Sequence, residues 1–222
     1  MSFKIFDDGM KVCLSCSRRC RPSEMSMHRD YFGICSKCKK SLNPVPADSP
    51  FEGMKHLDYL VSAYYYNKTM RRLVHRYKFG RNWIYKEFFS DMLYDYLKDL
   101  PFLSNFDFMT SVPLSFKRYQ QRGFDQSYLI AQLLCEKLSI PYLKCIHRTK
   151  HTKPQSKSDS YLRRVNIADA FVADRQKVDG KRILLLDDIF TTGSTMNSCA
   201  KELKNKGAKA VSGIALSIVK YD

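Results

Sequence analysis

An α/β domain built on a mostly parallel sheet flanked by helices, preceded by a small metal-held N-terminal module, is the fold class this sequence predicts. Three observations lead there. Between residues 57 and 219, short β-prone apolar runs alternate with segments of helical period, and strands separated by helices pair in parallel with helices on both faces. The uninterrupted run Ile183-Leu184-Leu185-Leu186 ends in Asp187 and Asp188, as a doubly buried strand does where it emerges at its carboxyl edge. The pairs Cys13-x-x-Cys16 and Cys35-x-x-Cys38 lie eighteen residues apart in a polar segment too short for its own core, which is zinc-ribbon or finger spacing.

The 222 residues, 44% hydrophobic and 13% aromatic, suit one domain of ordinary size plus an appendage. The opening MSFKIFDDGM carries acids where a signal peptide needs cations, and no run of about 18 uncharged apolar residues occurs anywhere. A cytoplasmic location is therefore expected. Thiols are kept reduced there, so paired cysteines read as metal ligands before disulfides. Cys13, Cys16, Cys35 and Cys38 are the expected ligands of one structural Zn²⁺, which supplies the folding energy that residues 1–45 lack. Cys20 and His28 are alternative ligands. Cys135, Cys145 and Cys199 stand singly in apolar surroundings and read as core.

Helix breakers cluster in Asn43–Pro50, which places a domain boundary between residues 1–45 and 46–222. Leu57–Tyr66 is then β-prone. Lys68–Phe79 sets Met70, Leu73, Val74 and Tyr77 at helical spacing, and Trp83–Leu97 repeats that period. Phe106–Val112 reads as a strand ended by Pro113, Gln126–Leu138 as a helix, and Tyr142–Ile146 and Ala170–Ala173 as short strands. Arg182–Asp187 is the buried strand, Ser194–Lys206 a helix closed by Gly207, and Ala210–Val219 the final strand.

Ligands of such sheets bind at the carboxyl ends of the strands, where Asp187 and Asp188 lie. The loop Thr191-Thr192-Gly193-Ser194-Thr195 follows at the start of the next helix and offers N–H groups and hydroxyls as an anion cradle. It is not a Walker A loop, because no Gly-Lys-Ser/Thr follows. Two acids beside a phosphate cradle need something other than phosphate to hold. Vicinal sugar hydroxyls with a nearby Mg²⁺ meet that need. The acid pair and the loop resemble the phosphoribosyl pyrophosphate (PRPP) motif of type I phosphoribosyltransferases. That resemblance implies that Asp187 and Asp188 bind the ribose hydroxyls with Mg²⁺, and that Thr191, Thr192, Gly193, Ser194 and Thr195 bind the 5′-phosphate.

More of the chain agrees. Val112-Pro113-Leu114 through Lys117-Arg118 to Arg122-Gly123-Phe124 is similar to the VPxPxxxxRxxxRGFNQ segment of the ComF competence proteins. Arg148, Thr152, Gln155, Arg163, Asn166 and Phe171 match that family's RxRxTxxQ…RxxNxxxxF segment, and Tyr77-Lys78-Phe79-Gly80 is similar to its LKFxG. With the four-cysteine module, the chain is identified as a member of the ComF family, with Asp125 where the family more often has Asn. The resemblance implies a type I phosphoribosyltransferase fold and a role in natural transformation on internalised single-stranded DNA, beside the ATP-driven ComFA translocase. It leaves open whether phosphoribosyl transfer occurs. Lys117 and Arg118 become the expected pyrophosphate contacts, and residues 148–164 a hood over them.

Charge points the same way. With 38 Lys and Arg against 22 Asp and Glu, the formal net charge is +16. Lys68, Arg71, Arg72, Arg76, Lys78 and Arg81 occur in a stretch without an acid, and Arg148, Lys150, Lys153, Lys157, Arg163 and Arg164 form a second block. Interleaved with Trp83, Tyr119 and Tyr161, they suit a single-stranded nucleic acid, cations tracking phosphates and rings stacking on bases. Arg72, Arg76, Lys78, Arg148, Lys150 and Arg163 are the expected DNA contacts. Two other functions use the same motif. A metabolic phosphoribosyltransferase needs a base or amine acceptor site, and a PRPP-sensing regulator needs a duplex-reading element such as a helix-turn-helix, which the sequence does not display.

Overall fold

The computed structural model describes residues 9–28, 32–46, 51, 54–80, 82–149 and 170–220. At the N-terminal end two small antiparallel ribbons, β1 (Lys11–Val12) with β2 (Arg19–Cys20) and β3 (Met25–His28) with β4 (Phe32–Cys35), precede the short helix α1 (Ser36–Lys40). They converge on the cysteine pairs. The next strand, β5 (Asn43–Pro44), runs antiparallel to the end of β6 (Tyr59–Tyr65), pairing Asn43 with Tyr65. The start of the breaker-rich segment, Asn43-Pro44, is thus recruited as a sheet edge, a position where proline costs no ladder hydrogen bond.

Two helices follow β6. α2 (Lys68–Phe79) begins at Asn67, whose side chain accepts from the N–H groups of Thr69 and Met70, and buries Met70, Leu73, Val74 and Tyr77 as its spacing predicts. α3 (Ile84–Leu97) buries eight of its residues, so its core face is far broader than an amphipathic stripe. Strand β7 (Phe108–Ser111) leads to α4 (Phe116–Arg122) and α5 (Gln126–Leu138). The strand expected over Tyr142–Ile146 is reduced to one bridge, Met109 to Tyr142. Beyond it the chain leaves the sheet, and β8 (Ile146–Arg148) pairs antiparallel with β9 (Phe171–Ala173) in a separate ribbon. The turn α6 (Arg175–Val178), strand β10 (Arg182–Phe190), helix α7 (Ser194–Asn205) and strand β11 (Ala210–Ile218) complete the order.

The main sheet runs β5-β6-β11-β10-β7, with every pairing among its last four strands parallel. Alternation along β10 divides the core in two. Leu184 and Leu186 pack with α2, α3, α5 and the cysteine module, whereas Ile183 and Leu185 pack with α7 and the β8–β9 ribbon. All four are fully buried, and each contributes roughly 1.5–3 kcal/mol relative to exposure. β10 is longer than the sequence pattern implies. It continues through Asp187 to Phe190 because β11 keeps pairing with it, Ile189 to Ser217 and Phe190 to Ile218. On the other side β7 stops at Ser111, opposite Leu186. β10 therefore overhangs its neighbour from Asp187 onward, and the overhang opens the crevice in which the site lies.

Candidate functional site

The turn off β7 forms one wall of this crevice. Ser115 accepts from the Arg118 N–H and starts α4, and Gly123, at φ 80°, ends it in the left-handed region. Lys117 and Arg118 thus project from the first turns of a short helix rather than from a loop, and both are exposed. Asp125 then caps α5, with Oδ1 accepting from the Tyr128 N–H and Oδ2 from the Leu114 N–H at 3.2 Å. That gives Asp125 a definite part: each of its two oxygens ties down one end of the turn. Burial raises its pKa, against the pull of those two N–H groups.

The acids are held from two helices. Ser127 of α5 donates to Asp187 Oδ1 at 3.1 Å, and the Asp188 N–H donates to the same oxygen at 2.8 Å. Burial, and then the charge on Asp188, push the Asp187 carboxyl up to about 7, against the Asp188 N–H, Lys78 and Ser127. Asp188 pairs with Lys78 of α2 at 2.6 Å, the two side chains being 12% and 15% exposed respectively. Arg122 donates to Gln126 Oε1 at 2.6 Å. Its pKa is lowered by burial, while the charges of Asp188, Asp125 and Asp187 act in the opposite direction, which places this cation beside the acids. The sequence places Lys78 among the DNA contacts; in the structure its partner is Asp188, while Arg122 is held by Gln126.

Below the acids the loop Thr191–Thr195 closes on Gly193, which starts α7 at φ 72°. A Cβ there would lie 2.4 Å from the Phe190 ring and 2.7 Å from Met54 Sδ, so only glycine fits. Gly193 has no side chain to cap α7, and the Ser194 N–H reaches Thr192 Oγ1 only at 3.5 Å. Its first-turn N–H groups, with the hydroxyls of Thr192 and Ser194 in mutual contact at 2.8 Å, make the kind of helix start at which anions can bind. The cations Arg118 and Arg148 lie close enough that burial first, and then Arg118, depress the Arg148 pKa. Arg148 also stands 5.2 Å over the Phe171 ring. Lys150 and Arg163, with the rest of the expected hood, fall outside the described residues.

The four expected metal ligands meet. The Sγ atoms of Cys13, Cys16, Cys35 and Cys38 lie within 4.8 Å of one another, Cys16 and Cys35 at 3.8 Å. A tetrahedral ion with bonds of about 2.3 Å sets its sulfurs about 3.8 Å apart, so the cluster fits a metal such as zinc. The Cys35 N–H donates to Cys13 Sγ at 3.2 Å, as a buried thiolate requires. Cys20 lies outside the cluster, its thiol directed to the Arg18 carbonyl. Arg72 and Arg76, two more of the expected DNA contacts, grip this module. Arg72 donates to Ser15 Oγ at 3.3 Å and approaches Cys38 Sγ at 3.9 Å; Arg76 donates to the Leu14 carbonyl at 3.2 Å and Ser17 Oγ at 2.6 Å. Beside them opens a groove of about 380 Å³ lined by Lys68, Arg71, Arg72, His75 and Arg76.

The phosphoribosyl transferase domain family model matches residues 125–220, the part that carries the acids, the loop and α7. Competence protein ComFC of Bacillus subtilis (strain 168) is 30% identical over 215 residues, covering 93% of this chain and 83% of its own length. The chain belongs to the ComF family. Competence protein F of Haemophilus influenzae is 26% identical over 214 residues, covering 87% of this chain and 93% of its own. DNA utilization protein YhgH of Escherichia coli (strain K12) is 29% identical, with 86% and 93% covered. A solved adenine phosphoribosyltransferase from Thermoanaerobacter pseudethanolicus aligns with 63% of the chain and 83% of its own at 14% identity and TM-score 0.40. The type I phosphoribosyltransferase fold is carried by that family match and by the mostly parallel sheet. Among the described residues no helix is long and apolar enough to cross a membrane.

Proposed function

We propose that this protein serves natural transformation or DNA use by binding PRPP with Mg²⁺ at the end of β10 and single-stranded DNA along the basic face of α2, with one structural zinc in the cysteine cluster. The observation that carries the PRPP reading is the overhang of β10: two acids and an uncapped helix start share one crevice. Asp187 and Asp188 would hold the Mg²⁺, a hard cation whose charge would offset the repulsion between acids and diphosphate. In the chain itself, Asp187 and Asp188 would accept from the ribose hydroxyls, the Thr191–Thr195 loop would cradle the 5′-phosphate, and Lys117 and Arg118 would meet the diphosphate.

The DNA reading is supported by the groove, by Phe79 against its lining residue His75, and by further exposed aromatic side chains. Phe79 stacks against His75 at 4.8 Å between ring centroids and lies 5.7 Å from the Arg122 guanidinium. Phe79, Trp83, Phe116 and Tyr119 are all exposed. Cations beside exposed rings suit a single strand, whose phosphates and bases are both accessible. An ATP-driven translocase of the ComFA type is the protein partner this role calls for. Calorimetry tests the site: wild-type protein should bind PRPP only with Mg²⁺, and Asp188→Ala should weaken binding by about tenfold or more, the loss of a charge-assisted contact. Undiminished affinity in a folded Asp188→Ala variant would overturn the assignment.

A further inference from the structure

We propose that Lys78 is a positioning residue of the acid pair, holding the Asp188 carboxylate in place, and that the helix carrying it is fixed by the cysteine module, so that affinity at the sugar site depends on both. The inference rests on the sugar-phosphate reading above. Its geometry begins with two adjacent pairs of residues. Tyr77 Oη donates to the Gln126 carbonyl at 3.2 Å, tying α2 to α5. The next residue along each helix holds an acid: Lys78 takes Asp188 and Ser127 takes Asp187. A pair as short and enclosed as Lys78–Asp188 is poorly screened by water, so it fixes the direction of the carboxylate in a way that an exposed pair cannot.

What fixes α2 lies on its other side. Arg72 and Arg76 are one helical turn apart and therefore share a face, and that face is fastened to Ser15, Leu14 and Ser17 of the cysteine module. Tyr85 of α3 donates to the same Leu14 carbonyl at 2.8 Å. Four metal-bound thiolates leave a net negative charge, and Arg72 beside Cys38 Sγ is the cation placed to meet it. Two side chains from neighbouring helices touch the acids, Lys78 of α2 at 2.6 Å and Ser127 of α5 at 3.1 Å. Lys78 has the shortest contact with the pair.

Amide exchange at residues 187–190 of the full chain, run without PRPP, reads the role of Lys78 directly. Lys78→Met should speed exchange there, because the Asp188 carboxylate loses its anchor. PRPP affinity with Mg²⁺ should fall about tenfold, and Lys78→Arg should restore both properties to within about threefold. Unaltered exchange, or tighter PRPP binding in Lys78→Met, would overturn the assignment. For the clamp, Arg72→Gln/Arg76→Gln should speed amide exchange across β10 residues 184–190 and weaken PRPP binding, with the milder Ser17→Ala changing both in the same direction. Unaltered exchange and affinity in both variants would overturn the role of the module. Absence of PRPP binding in the wild type would sink the sugar-phosphate reading, while exchange at residues 187–190 in Lys78→Met would still decide whether Lys78 holds the acids.

Discussion

Asp187 occupies a place where a carboxylate is poorly solvated and faces a second acid, and its proton is held accordingly. Its folded-state pKa of about 7 lies above that of an unfolded aspartate, so between roughly pH 4 and 7 the native chain binds a proton that the unfolded chain has released. The stability it contributes is full below about pH 4 and is lost as pH rises toward 7. Asp187→Asn keeps an oxygen for Ser127 and the Asp188 N–H but never ionises. In urea unfolding it should therefore be more stable than wild type at pH 8, with the advantage shrinking to nothing near pH 4; a difference independent of pH would show that no proton is held there. The acid pair was legible because adjacent aspartates interrupt an apolar run. Lys78 was not, since its partner lies far along the chain and nothing local distinguishes it from the other cations of a basic segment. Asp125 is explained only by the turn it holds, where two N–H groups each claim one oxygen.

At the scale of the element, the same sequence signals succeed or fail for physical reasons. α2, α5 and α7 were readable because their cores follow a helical period, and β10 because a doubly buried strand is a continuous apolar run. α4 has only seven residues and none of them buried, so it carries no hydrophobic period; its Ser115 cap and Gly123 stop were the signals available. The end of β10 was misplaced because charged residues normally end a strand, whereas here pairing with β11 carries the acids onward as strand. The cysteine module was legible from spacing alone, but its attachment was not. Cys13, Leu14, Ile34, Cys35 and Cys38 belong to the same hydrophobic cluster as α2 and α3, so losing the metal should be felt beyond the module. Cys13→Ser/Cys35→Ser should purify without stoichiometric zinc and melt well below wild type, with faster amide exchange in α2. Zinc retained at one per chain in that variant would mean the ligands are others.

Across the whole molecule, a formal charge of +16 is divided between internal and outward tasks. Arg72 and Arg76 are spent on the cysteine module and Lys78 on Asp188, so half of the first basic block has a partner within the chain. The outward cations of α2 are Lys68 and Arg71, which are exposed and line the groove together with His75. If about six cations of the protein meet a single strand, log K should fall against log salt with a slope of about −4, because each neutralised phosphate on single-stranded DNA releases about 0.7 of a counterion. Lys68→Ala/Arg71→Ala should then flatten the slope by about 1.4 while weakening binding to all sequences alike. That variant leaves the module, the acids and the buried face of α2 untouched, so its zinc content and unfolding midpoint should match the wild type. Fluorescence anisotropy of a short oligonucleotide across a salt series reads the slope. An unchanged slope would move the DNA path off this helix, and no binding even at low salt would turn the reading toward an enzyme that transfers the phosphoribosyl group to a base or an amine.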